Sequence, residues 1–521
     1  MLRLISINLM LLFTIMANAA DIIGKAEAET GIMNKCDIVT GSNFSGGKAV
    51  RITDEKASLT VSLNVTERKR YKVFVAGNGI GGEKYIRCSV DGNNCEFTIN
   101  NYREVEVGTF ILNEGANDIT ITPSWTWFDI DYVCIRENDV HIDFDIAGDP
   151  VDANATPAAR RMNAFLQKNF GKKTISGMMT GEMISGTTDI CKHKDMQAVY
   201  NASGKYPALV GFDFMNTTGK DENNSWMKDY SNTAFTLAKD TYRKGGLPAF
   251  TWHWRDPSRS TDAFYTDQSS VRISSALNSD GTWNTSSSLY KNIIKDIDKI
   301  ADHFLQMQNE GMACLFRPLH EADGGWFWWG REGAENFRKL YHLVYDEMVN
   351  VKGVHNVIWI WNAGPNRPEW NPGDEYYDIV SADIYNGDFD YSSCYPTFDK
   401  LKEITNGKKI IALSENGPIP DIQREVNDDA VWSWWMPWYN TWNGNYVYKT
   451  SNAEWKSCMS DPRVITLEDL SAGWEAQTAI TQHPSPNTQH PSPIYSISGQ
   501  CIASATHSGI YIINGKKMVI K

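Results

Sequence analysis

Two glutamates stand at the ends of apolar runs that read as β-strands. Glu321 closes Ala313-Cys314-Leu315-Phe316-Arg317-Pro318-Leu319-His320-Glu321, and Glu415 closes Lys409-Ile410-Ile411-Ala412-Leu413-Ser414-Glu415. A charged side chain directly after an apolar strand faces a rim rather than a core. Two acids on such rims are what cleavage of a glycosidic bond requires. One protonates the leaving oxygen, and the other attacks the sugar carbon or activates water. Aromatic or glycine-rich sequence follows each acid at once, as a sugar cleft would need. Arg317 lies four residues before Glu321, where strand alternation puts it on the same face, able to hold a carboxylate ionised through a bidentate pair. A barrel-interior salt bridge without substrate contact is the alternative for Arg317. His320 adjoins the first acid, within reach of the second carboxylate or of a sugar.

The elements that must position these groups follow from the pattern of the chain. Residues 21–140 alternate short β-rich runs with Gly, Asn and Asp turns, at 49–53, 58–64, 70–76, 84–90, 103–112, 117–122 and 130–135, which predicts a β-sandwich. From about 155, apolar runs alternate with longer amphipathic stretches. Strands are expected at 174–178, 207–214, 247–254, 312–320, 356–362, 378–385, 409–414 and 431–438, with helices at 159–169, 230–244, 288–310 and 333–350. Eight β/α units predict a (β/α)8 TIM barrel preceded by an all-β jelly-roll or sandwich module. On that count Glu321 ends the fourth strand and Glu415 the seventh, which face each other across a barrel. Two other signals mislead. Gly77-Asn78-Gly79-Ile80-Gly81-Gly82 fits the dinucleotide glycine pattern, but another strand follows it, not the helix that phosphate binding needs. His320-Glu321 lacks the second His of a metalloprotease helix.

Composition bounds the rest. At 521 residues the chain is too long for one core. A formal charge of -13 argues against nucleic acid as partner but leaves neutral polymers open. The 19 tryptophans suit stacking on sugar rings as well as core packing. Residues 1–20 read as a secretory signal cut after Ala19 or Ala20, and no later segment has the run of about 20 apolar residues a membrane span needs. The expected location is therefore secreted or at the cell surface. Nine cysteines in an oxidising compartment leave at least one without a partner, and Cys88 and Cys95 flank a turn that a disulfide could bridge. Residues 476–493 form a Pro-rich linker containing a repeated Thr-Gln-His-Pro-Ser-Pro.

The motifs also carry a family resemblance. Arg317-Pro318-Leu319-His320-Glu321 followed by Trp326-Phe327-Trp328-Trp329-Gly330 resembles the acid/base motif of glycoside hydrolase family 26, and Leu413-Ser414-Glu415 resembles its nucleophile strand. Lys205 to Asp213 and Asp296 to Ala301 are similar to further stretches of that family. The resemblance spans about 155–470 and implies a retaining β-1,4-mannanase acting by double displacement, with Glu321 as acid/base and Glu415 as nucleophile. It also implies that His253, Arg317, His320, Trp326, Asp378, Tyr385 and Trp438 bind or position substrate. Tyr385 would hydrogen-bond the nucleophile, and Trp438 would form the floor under the cleaved sugar, a part that Trp434 or Trp435 could take instead. Ala322-Asp323 departs from the Met-Asn frequent after the acid in this family.

The first domain resembles carbohydrate-binding modules of family 35 or 6, through Ala26-Glu27-Ala28-Glu29, Ser45-Gly46-Gly47, Asn113 to Asn117 and Phe128 to Tyr132. That implies a structural Ca²⁺ held by Glu27, Glu29 and Asp131, with Trp125 and Trp127 as a stacking platform unless one is buried in the sandwich. No cofactor is expected for catalysis. Residues 494–521 are similar to sorting tails of secreted Bacteroidetes proteins. The expected domains are thus 21–140, 150–475, the linker and this tail, and the expected partner is a β-mannan chain bound by a monomer. The alternatives are another β-glycanase, acting on mixed-linkage glucan or β-1,3-xylan, and a carbohydrate-binding surface protein without activity.

Overall fold

The computed structural model describes residues 21–139, 141–439, 446–470 and 474, together with short strands between 494 and 520. The expected signal segment and linker lie outside the described residues.

The N-terminal module is a sandwich of two antiparallel sheets. One holds Asp37–Thr40, Lys48–Ile52, Phe128–Glu137, Lys69–Gly79 and Arg103–Leu112, with Ile22–Glu27 also paired to Phe128–Glu137. The other runs Ile32–Asn34, Ser58–Val65, Gly115–Pro123, Lys84–Val90, Asn93–Ile99. Period-two burial fixes the inner faces: along Ser58–Val65 the buried residues are Leu59, Val61, Leu63 and Val65. Strand Asn93–Ile99 is absent from the expected list because its polar Asn93 and Asn94 read as turn. Strand Lys69–Gly79 is followed by a turn and then strand Lys84–Val90, so its glycines shape a loop. Cys88 and Cys95 sit directly opposite in this hairpin, but both are free thiols, as are the other cysteines with described side chains. The Cys95 thiol donates to the Val107 carbonyl instead.

Eight parallel strands close the barrel: Thr174–Met179, Leu209–Asp213, Leu247–Thr251, Cys314–Arg317, Val357–Asn362, Ile379–Ile384, Ile410–Asn416 and Trp434–Pro437. The first pairs with both the second and the eighth, which completes the ring. Helices follow most strands, and several start on a side-chain cap, such as Asn224 accepting from Trp226 N–H and Ser287 accepting from Tyr290 N–H. The fifth strand is the exception, since a single 3-10 turn, Pro368–Trp370, lies between it and the sixth. That connection reaches the N-terminal module: the Asn366 amide donates to the Glu96 carbonyl at 2.5 Å, and Arg367 donates to the Tyr85 hydroxyl at 3.3 Å. Arg70 grips both Asp399 oxygens, at 2.8 and 3.3 Å, and the Tyr395 hydroxyl accepts from Ile111 N–H. Module and barrel therefore share buried polar contacts. No helix among the described residues is long and apolar enough to cross a membrane.

The C-terminal unit, 476–521, forms a separate four-stranded antiparallel sheet from Ile494–Ser496, Cys501–Ile502, Gly509–Ile513 and Lys516–Ile520.

Candidate active site

The fourth barrel strand ends at Arg317, four residues earlier than Glu321. Leu319 and Glu321 both take left-handed backbone, φ 52° and 51°, which costs a residue other than glycine about 1–3 kcal/mol. The surroundings hold this turn. Glu321 N–H donates to Asn362 Oδ1 at 2.7 Å, from the end of the fifth strand, and Trp329 Nε1 donates to the His320 carbonyl at 2.8 Å. The Trp326–Gly330 loop folds back on Glu321, and a Cβ at Gly330 would lie 1.9 Å from the Ala322 carbonyl oxygen, so only glycine fits there. Trp326 is 46% exposed and donates its indole N–H to Glu321 Oε2 at 2.9 Å, whereas Trp328 and Trp329 are core residues.

Glu415 lies within the seventh strand, near its C-terminal end. The Tyr385 hydroxyl donates to Glu415 Oε2 at 2.5 Å, and Arg317 donates to Glu415 Oε1. The other nitrogen of the Arg317 fork donates to Asp383 Oδ2 at 2.7 Å, and the Asn362 amide donates to Asp383 Oδ1 at 2.9 Å. One oxygen each from Glu321, Asp383 and Glu415 lies within 4.8 Å of the others. Burial, then the neighbouring Glu415 charge, pushes the Glu321 carboxyl up to about 7. Burial also pushes Asp383 up, against the pull of Arg317. Glu321 is thus a proton donor poised near neutrality, facing a carboxylate whose two oxygens are both held by donors. That combination suits acid-assisted displacement. The spacing agrees with the separation of about 5–5.5 Å that retention needs and is shorter than the roughly 6.5–9.5 Å of inverting pairs.

On the other flank, His253 Nδ1 bonds Asp213 Oδ2 at 2.6 Å. Burial pushes this imidazole down, but the charge and hydrogen bond of Asp213, together with the charges of Glu415 and Glu321, outweigh it and the net shift is upward. The His253 ring meets Trp438 with centroids 5.7 Å apart, and Trp438 stacks on Tyr439. Trp434 and Trp435 are sealed in the core, so of the three candidate floors only Trp438 is part-exposed beside the site.

Several expectations need correction. His320 touches neither the nucleophile nor open cleft: it is 1% exposed and bonded to Thr251 Oγ1 and His253 Nε2, both at 3.2 Å. Arg317 is buried and binds two carboxylates rather than one bidentately, so it positions the acids and does not contact a sugar. It shares no strand face with Glu321, because the strand stops at Arg317. Asp378 is not in the site. It precedes the sixth strand at the barrel's opposite end, where its oxygens accept from Val151 N–H at 2.7 Å and Trp359 N–H at 2.8 Å. The sequence reading missed Asp383, Asn362 and Asp213, three polar residues in the last positions of apolar strands, and Tyr265, an aromatic on the long loop beside Glu321 whose hydroxyl is pushed up by burial and by both glutamates. In the module, Trp125 and Trp127 are 60% and 54% exposed, so neither is buried in the sandwich.

The family model of glycosyl hydrolase family 26 matches residues 151–469. A mannan endo-1,4-beta-mannosidase B from Piromyces sp is 30% identical over 462 residues, covering 85% of this chain and 76% of its own. The crystal structure of a Podospora anserina GH26-CBM35 beta-(1,4)-mannanase superposes with a TM-score of 0.57 at 26% identity, covering 86% of this chain and 98% of its own. A β-mannanase from a symbiotic protist of the termite Reticulitermes speratus, complexed with a gluco-manno-oligosaccharide, gives a TM-score of 0.56 at 36% identity, covering 63% and 98%. With the family model covering more than half its length, this chain belongs to glycosyl hydrolase family 26.

Proposed function

We propose that this enzyme is a retaining endo-β-1,4-mannanase. The observation that carries it is the close pair of Glu321 and Glu415, one able to hold a proton near neutrality and the other gripped by Arg317 and Tyr385. Glu415 attacks the anomeric carbon as Glu321 gives its proton to the leaving oxygen, breaking the glycosidic bond and forming a glycosyl ester. Glu321, now a carboxylate, takes a proton from water, which attacks the same carbon and releases Glu415. Tyr385 and Arg317 hold the nucleophile in line, and Trp326 orients the acid.

The test is product analysis of wild type, Glu321→Ala and Glu415→Ala on linear mannan, galactomannan and mixed-linkage glucan. Wild type should release a ladder of manno-oligosaccharides, and both variants should lose nearly all turnover while melting normally. Mannan turnover retained by either variant, or turnover of glucan alone, would refute the assignment.

Around this core we infer export, a monomeric state and a Ca²⁺ in the module. The residues present fit the ion: Glu27 Oε2, Glu29 Oε2 and Asp131 Oδ1 are buried oxygens with no hydrogen-bond partner, and hard oxygen ligands suit Ca²⁺. These three side chains would hold it. Bound there, the ion would tie the first strand of the module to the last. Chelation should lower the module's melting temperature by several degrees, and an unchanged melt would count against it.

A further inference from the structure

Glu321 opens into a cleft of ≈ 360 Å³ that the N-terminal module also lines. The barrel lines it with Glu321, Trp326, Asp383 and Tyr385 and with the 363–367 connection. The module lines it with Tyr85, Arg87, Glu96 and Thr98, from the hairpin Lys84–Val90 and Asn93–Ile99. The volume is within the range of ligand sites, about 300–1,000 Å³. We propose that this face of the module is a sugar-binding subsite of the catalytic cleft, and that it takes the leaving-group side of the same β-mannan chain that Glu321 and Glu415 cleave.

Three observations carry this. First, the wall is continuous with the site: Asn366 and Arg367 are bonded to Glu96 and Tyr85, so hairpin and catalytic rim are held in one geometry. Second, its chemistry suits a neutral polyhydroxylated chain. Arg87 is neutralised by Glu96 at 3.0 Å, and Arg367 lies near Glu83 and Glu369 at 3.6 and 3.9 Å, so the charges are compensated while hydroxyl-binding atoms remain at the surface. Tyr85 adds an aromatic ring and meets exposed Trp125 edge to face, with centroids 4.9 Å apart. An apolar path therefore continues from the cleft onto the outer module. Third, the direction is set by the acid. The cleft opens beside Glu321, which protonates the departing oxygen, and its lining omits His253 and Trp438, which wall the other flank. Sugars departing on the acid's side run toward the module.

The proposal rests on the mannanase assignment, and one experiment separates the two. We would measure kcat/KM on mannohexaose and on an aryl β-mannobioside, whose leaving group carries no sugar, for wild type, Tyr85→Ala and Arg87→Ala. Arg87 is solvent-exposed, so its variant should fold even if loss of Tyr85 disturbs the hairpin. The ratio of hexaose to aryl glycoside should fall about tenfold in each variant, as expected for loss of one contact worth about 1.4 kcal/mol. Wild type that cleaves neither substrate would refute the mannanase assignment. Wild type that cleaves both, with a ratio unchanged in both variants, would overturn the subsite alone. Equal losses on both substrates would also overturn it, because a wall on the leaving side cannot sense a substrate that has no sugar there.

Discussion

Three carboxylates surround the single guanidinium of Arg317, so complete ionisation would leave a buried surplus of negative charge. The group held protonated on the cleft side is Glu321, pushed up to about 7 by burial and by Glu415. Since the first displacement needs that proton, kcat/KM should fall about tenfold per pH unit above roughly 7. The Trp326 indole N–H bonds the charged form of Glu321 and so holds its pKa below what burial alone would give. Trp326→Phe keeps the apolar wall but removes this donor, so the alkaline limb should move to higher pH; a limb that stays or moves down would deny the bond its role. Arg317 calls for a different measurement because it reaches two acids and no cleft surface. Lysine cannot span both carboxylates as the planar fork does. Arg317→Lys should therefore lower kcat by about 10–100-fold, the cost of about 1–3 kcal/mol in lost nucleophile positioning, with KM little changed. A rise in KM at constant kcat would instead make Arg317 a substrate-binding residue.

At the level of elements, the barrel strands were legible because each is a short, mostly buried apolar run bounded by polar sequence, and an acid closing such a run marks a rim. Asp378, which only the family resemblance placed in the site, shows where a resemblance needs geometry. It lies seven residues before Tyr385, and at about 3.3 Å per residue this separates the two by about 23 Å along a strand, from one end of the barrel to the other. Asp378 is a clamp between elements: it receives Val151 N–H from the segment before the first helix and Trp359 N–H from the fifth strand. Asp378→Asn can accept only one of these bonds and turns its own amide toward the other donor. The loss should be about 1–3 kcal/mol of stability, with KM unaffected well below the melting temperature. Burial pushes folded Asp378 up to about 6, whereas an unfolded aspartate releases its proton near about 3.9. The folded state thus binds the extra proton between these values, and this residue's contribution to stability falls as pH rises from about 4 to 6. Thermal melts across that window should show this slope in wild type and not in Asp378→Asn. The left-handed turn at Leu319 and Glu321 was illegible for another reason, since it is held by Asn362, 41 residues on, and by the way the Trp329 loop folds back. Asp383 was passed over because it sits inside the strand, one position from the apolar residues that hide it.

At the level of the whole molecule, a carbohydrate-binding module on a flexible tether would only raise local concentration, whereas a docked one can shape the cleft itself. The charged docking contacts here are part-buried and so less screened by salt than exposed pairs. Arg70 holds Asp399, which burial pushes up to about 6, and Lys400 meets Glu106 at 2.8 Å. Removing Arg70 would leave Asp399 buried without its guanidinium. Because Arg70 is about a quarter exposed, the cost should lie at or below about 3 kcal/mol, the low end for a broken buried pair. If the module wall works only when docked, Arg70→Ala should lower the hexaose to aryl-glycoside ratio although Arg70 lies outside the cleft lining. Calorimetry on the same sample should then show the module melting earlier than the barrel. A ratio kept at the wild-type value together with an earlier module melt would mean that the 363–367 contacts hold the wall by themselves. The docking pair would then serve stability alone, and the catalytic geometry would end at Asn366 and Arg367.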